Sequence, residues 1–136
     1  MHKTLQIALL FVCCVSAIQG FAQKQFTNCA AAFLDQKMVV DEYTPSGKCV
    51  LAVHSSGELT VCTADLSPSG STPVDKIKFR IAIRDANTQT LCMYSDDSYT
   101  KVDIQKVLTK CRKGDHIVLL TTDDQYALPH NEILVQ

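Results

Sequence analysis

Seven cysteines and four histidines are the residues of this 136-residue chain whose chemistry reaches beyond solvation. Cys13, Cys14 and His2 lie in an apolar N-terminal stretch, which leaves Cys29, Cys49, Cys62, Cys92 and Cys111 with His54, His116 and His130 for the folded part. A thiol nucleophile needs a lowered pKa and a nearby base. Cys29 is the candidate for the first condition, because the residues after it read as a helix whose N-terminal dipole would favour a thiolate. No Cys-x-x-Cys pair and no signature around any cysteine supports it, so structural cysteines are the preferred reading. In an oxidising compartment the expected pairs are Cys92 with Cys111 first and Cys29 with Cys49 second. The alternative is that the thiols stay reduced and pack as small hydrophobes.

Metal sites have no better support in the spacing of their candidate ligands. His54, Glu58 and Cys62 are not one zinc set, since Cys62 lies about 13 Å beyond Glu58 on an extended strand. Asp96-Asp97 and Asp123-Asp124 lack the alternating spacing of a calcium loop and read as turn residues. The sequence assigns no metal and no cofactor: it has no Gly-rich phosphate loop, no Gly-x-Ser-x-Gly elbow and no His-Glu-x-x-His. The most local charge feature is the basic stripe Lys76, Lys78, Arg80 and Arg84, all on one side of a predicted strand. With Tyr43 and His54 it forms the candidate ligand-binding set, suited to a small acidic ligand or an acidic partner. The plainer role is an edge protected by charge.

Those residues must be positioned by the elements around them. Asn28 followed by Cys29 to Gln36, with three alanines, predicts a short helix. Met38 to Tyr43, Cys49 to His54 and Glu58 to Thr63, joined by Gly-containing turns, predict a three-stranded meander. Its register would set Val53 opposite Leu59 and Met38 opposite Val53, leaving Asp41, Tyr43, His54, Glu58, Thr60 and Cys62 on a half-wet face. Leu66 to Val74, with its prolines and Ser/Thr, predicts a long loop. Lys76 to Arg84 alternates cleanly as a strand, and a turn at Asp85 to Thr88 returns it with Cys92 opposite Ile81. Thr100 to Asp103 reads as a helix cap, and Ile104, Val107, Leu108 and Cys111 form one apolar helical stripe that Gly114 would end. Ile117 to Leu120 reads as a buried strand, and Tyr126 to Leu128 and Ile133 to Val135 as edge or terminal strands.

Composition bounds the class. A net charge of -1, five glycines and four prolines exclude collagen-like and disordered chains, and the missing excess of Lys and Arg argues against a nucleic-acid surface. Met1 to Ala22 has the parts of a secretory signal peptide: His2 and Lys3, an apolar run from Leu5 to Ile18, and small residues before Gln23. That run is shorter than the roughly 20 residues a membrane span needs.

The sequence therefore predicts a signal peptide over 1–22 and one compact α+β domain over 23–136. The domain would be a mostly antiparallel sheet of about six or seven strands, with one covering helix at about 102–112 and a short N-terminal helix. The expected protein acts in the periplasm or outside the cell as a small non-catalytic binding module. Its expected partner is another exported protein or a small acidic ligand, with no nucleic acid and no transmembrane segment. An inhibitor or immunity-type protein is the narrower alternative, and a thiol-dependent enzyme the other class.

Overall fold

A computed structural model describes residues 29–67 and 70–136; the expected leader lies outside them. The chain is mostly antiparallel β-structure with one short helix, but it builds two five-stranded sheets where the sequence predicted one. The first contains β1 (Ala30–Leu34), β2 (Lys37–Met38), β4 (Glu58–Ser67), β5 (Gly70–Lys76) and β8 (Val102–Asp103), with β1 between β2 and β4. The second runs in the order β3 (Val50–Leu51), β10 (Glu132–Val135), β9 (His116–Thr121), β6 (Phe79–Arg84), β7 (Leu91–Met93).

One apolar cluster joins the two. The first sheet gives it Ala30, Ala32, Leu59 and Val61, and the second gives Phe79, Ile81, Ile117, Leu119, Ile133 and Val135. Helix α1 (Ile104–Leu108) adds Ile104, Val107 and Leu108, so the predicted apolar stripe is present on a shorter helix. Its start moves from Thr100 to an Asp103 cap, whose side chain accepts the Gln105 N–H at 3.0 Å. The displacement follows from Val102 and Asp103 being held as a strand against Leu59 and Glu58.

The N-terminal helix is replaced by β1. A two-turn helix is marginal whatever its alanine content, and here pairing on both sides wins: Phe33 lies opposite Thr60 in β4 and Met38 in β2. Both faces of β1 are buried, Ala30 and Ala32 inward, Ala31 and Phe33 in a second small cluster with Cys62. Small side chains on a strand covered from both sides explain why the alanines carry no alternation to read. The turn into β2 holds Asp35 at φ 50° and Gln36 at φ 69°, as a two-residue hairpin demands.

The predicted meander is also overturned, because its strands belong to different sheets. β3 pairs with β10 in parallel, setting Leu51 against Val135, and of the first predicted hairpin only a single bridge remains, Val40 with Cys49. The predicted half-wet face is partly closed: Thr60 and Cys62 are 7% and 2% exposed, with Met38 and Tyr43 packed over the cluster that contains Cys62. The expected loop at 66–74 is largely β4 and β5, with Pro73 on an edge strand where a missing N–H is tolerated. Tyr126 to Leu128 forms no strand; Ala127 makes one isolated bridge to Cys29.

Gly57 supports the first sheet at a tight point. It sits at φ +131°, and a Cβ there would lie 2.4 Å from Asp35 Oδ2. That carboxylate is engaged, its Oδ1 accepting the Glu58 N–H at 2.9 Å. Gly57→Ala is therefore expected to lower the unfolding free energy by about 2 kcal/mol in equilibrium denaturation, from backbone strain and the clash together.

Candidate functional site

The five described cysteines are free thiols, and neither expected bridge is formed. Each has its own surroundings. Cys49 and Cys111 direct their thiols at the carbonyls of His130 and Val107, at 3.8 and 3.5 Å. Burial, then the charge of Asp41, pushes the Cys49 thiol up to about 11; burial, then Asp115, does the same for Cys111. Cys62 donates to Thr60 Oγ1 at 3.5 Å inside the second cluster. Cys92 is exposed on β7.

The pKa directions give a signed expectation. Unfolding returns Cys49 and Cys111 to the ordinary 9.0, so the unfolded chain releases these protons first. Stability from these two thiols is intact below pH 9 and falls as pH rises from 9 to about 11. Denaturant midpoints at pH 8 and 10.5 read it, and the fall should shrink in Cys111→Ala. At neutral pH, timed alkylation should label Cys92 in the folded protein well before Cys49, Cys62 or Cys111.

Cys29 has no helix beneath it, so the dipole expected to activate it is absent. Its thiol lies against Tyr43 instead. Burial, with the Cys29 charge and hydrogen bond added, raises the phenol to about 12, and that hydroxyl donates to the Ala30 carbonyl at 3.1 Å. The His130 ring meets Tyr43 edge-on at 5.3 Å. Tyr43 is thus committed to covering the first sheet, and His54 sits in an exposed turn between β3 and β4. Among the described residues, no three His, Cys, Asp or Glu side chains gather as a metal would require.

The basic stripe is divided by the crossover between sheets. Lys76 ends β5 and lies 3.9 Å from Glu58, beside a cleft of about 460 Å³ that Asp35, Thr60 and Cys62 also line. Lys78 is exposed in the connection. Arg80 and Arg84 alone remain together, on the outer face of the second sheet. Arg84 is pinned to Glu132 through Nε and Nη2 at 3.0 and 2.8 Å. Arg80 Nε is buried with no hydrogen-bond partner, as is Nδ1 of His116 on the same face.

That outer face is the surface the sequence did not reveal. Register places Ala82 between Val118 of β9 and Met93 of β7, and Arg84 between His116 and Leu91; Val118 and His116 lie beside Glu132 and Leu134, and Leu134 beside Val50. Among the described residues four large apolar side chains are exposed, and three of them, Val50, Leu91 and Met93, fall on this one face. Its centre is apolar and closely packed, with Ala82 at 0% and Val118 at 3% exposure. The missing signal is physical: β3 and β7 are too short to alternate, and their place beside β10 and β6 is a tertiary fact.

β7 borders a second feature. Its hairpin loop is Ala86 to Gln89, one residue later than predicted, because Asp85 donates its N–H to Thr90 O at 2.9 Å. Cys92 therefore lies opposite Ile83, a two-residue shift that keeps its face but leaves it an exposed free thiol beyond the core. Ile83, Cys92 and Tyr94 form one wall of a cleft of about 470 Å³, and Lys110, Arg112 and Asp115 line it too. Both acids of this cleft are engaged with backbone. Asp115, 6% exposed, accepts from the N–H of Ala86 at 2.9 Å and of Arg112 at 2.8 Å. Asp85 accepts from the N–H of Asn87 and Thr88, and the Thr88 bond is the largest of the causes holding its carboxyl below the usual range.

Comparison of the chain with protein families, with curated proteins and with solved structures gives no match.

Proposed function

We propose that the chain is an exported, non-catalytic binding module that recognises another protein through the outer face of its second sheet. The observation that carries this is that Val50, at one edge of the sheet, and Leu91 and Met93, at the other, are exposed on the same face, flanking the packed centre of Ala82 and Val118. Exposed apolar side chains gathered on one face mark a contact surface on soluble domains, and Arg80, Arg84, His116 and Glu132 lie on the central strands between them. Export rests on the leader-like residues 1–22. An inhibitor or immunity-type protein would use the same face, and would block its partner's activity on binding.

A thiol-dependent enzyme is the second reading, favoured by Cys29 lying against Tyr43 with His130 on that ring. Co-purification from the source of the protein separates the two. A protein bound in stoichiometric amount should be lost from a Val50→Asp, Met93→Asp variant that keeps its unfolding midpoint, and should be retained by Cys29→Ser. No stoichiometric partner, or one lost only in Cys29→Ser, would overturn the binding-face reading.

A further inference from the structure

We infer that β7 is an acceptor strand for an extended acidic segment of the partner, which adds to the second sheet with its acidic side chains in the Lys110–Arg112 cleft; this rests on the proposed reading of that sheet as the recognition surface. Exposed sheet edges are ordinarily blunted by charge, proline or shortness. The first sheet follows this at both sides: β2 is two residues long and carries Lys37, and β5 carries Pro73, Asp75 and Lys76. In the second sheet β3 is two residues long. β7, at three residues, is short too, but it carries neither charge nor proline, and Leu91, Cys92 and Met93 are all exposed.

The ladder fixes which of its backbone groups are free. Thr90 O accepts from Asp85 and Tyr94 N–H donates to Ile81, so Thr90, Cys92 and Tyr94 turn their backbone toward β6. Leu91 and Met93 consequently present their N–H and C=O groups at the open edge, two donors and two acceptors at strand spacing. A chain added there would place alternate side chains on opposite faces. Those on the side of Leu91 and Met93 would join the apolar outer face, and those on the side of Cys92 would enter the cleft.

Charge selects the second set. Among the described residues the ion pairs are Lys76 with Glu58 and Arg84 with Glu132, so Lys110 and Arg112 belong to neither. The acids of the cleft, Asp85 and Asp115, are held by backbone amides. The cleft thus offers an incoming carboxylate Lys110 and Arg112, neither of them in an ion pair although the charge of Arg112 reaches Asp85, and the occupant alternates apolar with acidic residues.

The probes are acetyl-Val-Glu-Val-Glu-Val-amide and its lysine counterpart, titrated into the full-length protein with amide resonances followed by NMR. The glutamate peptide should shift the Leu91 and Met93 amides and slow their exchange, and should bind about tenfold tighter than the lysine peptide at low salt, the scale of two exposed ion pairs. Lys110→Glu with Arg112→Glu should reverse the preference. Met93→Pro, which removes only an edge-facing N–H, should fold and lose binding. Unmoved Leu91 and Met93 amides at millimolar peptide, or equal binding of both peptides, would overturn strand addition. If the Val50→Asp, Met93→Asp variant still loses its partner in that case, the recognition face stands and only the mode falls; a bound peptide with partner association unaffected by that variant would sink the face instead.

Discussion

Asp115→Ala is expected to lower the unfolding free energy by about 4 kcal/mol, the scale of two charge-assisted hydrogen bonds to one buried carboxylate. One carboxylate ties two distant segments, since Ala86 belongs to the β6–β7 turn and Arg112 to the chain leaving α1. The adjoining backbone is fixed as well: Gly114, at φ +94°, donates to Val135 O at 2.8 Å, and Val135 donates back to Asp115 O at 2.9 Å. Asp115→Asn keeps one acceptor oxygen and should cost roughly half as much. Urea titrations of the two variants read the difference. Equal and small effects would show that the turn holds itself through Asp85 alone.

Phe33→Ala carries the second large effect, about 4 kcal/mol for truncating a fully buried aromatic. Phe33 is 0% exposed and faces away from the main core, packing in the cluster of Ala31 and Cys62 with Met38 and Tyr43. Its loss leaves a void that the backbone of β1 cannot close, because β1 is paired along its length to β4. Were residues 30–34 a surface helix, as their alanines suggest, the same substitution would cost a fraction of this. Equilibrium unfolding with amide-exchange protection at Ala31, Ala32 and Phe33 separates the two cases.

Legibility of the fold followed the length and exposure of each element. Phe79 to Arg84 alternates because it has one buried and one half-open face, and Ile117 to Leu120 reads as a buried run; both are strands as expected. The stripe Ile104, Val107, Leu108 is real, although the helix loses two residues at its start, where Val102 and Asp103 are taken by the sheet, and about one turn at its end, where it stops at Leu108. β1 differs from the helix its sequence predicts because local preference for helix and tertiary demand for a thin, doubly covered strand point in opposite directions. The two-sheet arrangement is hidden by chain order: β3, β4 and β5 follow one another in sequence, yet β3 joins the C-terminal β10 while β4 and β5 lie in the sheet of β1. The basic stripe failed as a unit for the same reason, with Lys76 and Arg80 on either side of the crossover between sheets. Arg80 and Arg84 still share the outer face, at opposite ends of β6, but the exposed apolar side chains of that face come from strands two and three residues long, which hold no periodicity to read.

The measurement that bears most directly on recognition by the second sheet is site-specific photo-crosslinking in the native source. A photoreactive side chain at Met93 is compared with one at Val74, which is more exposed, 61% against 41%, but lies on β5 of the other sheet. Recognition through the outer face predicts one discrete adduct from position 93 and none from position 74. Equal labelling from both positions, or an adduct from 74 alone, would contradict it.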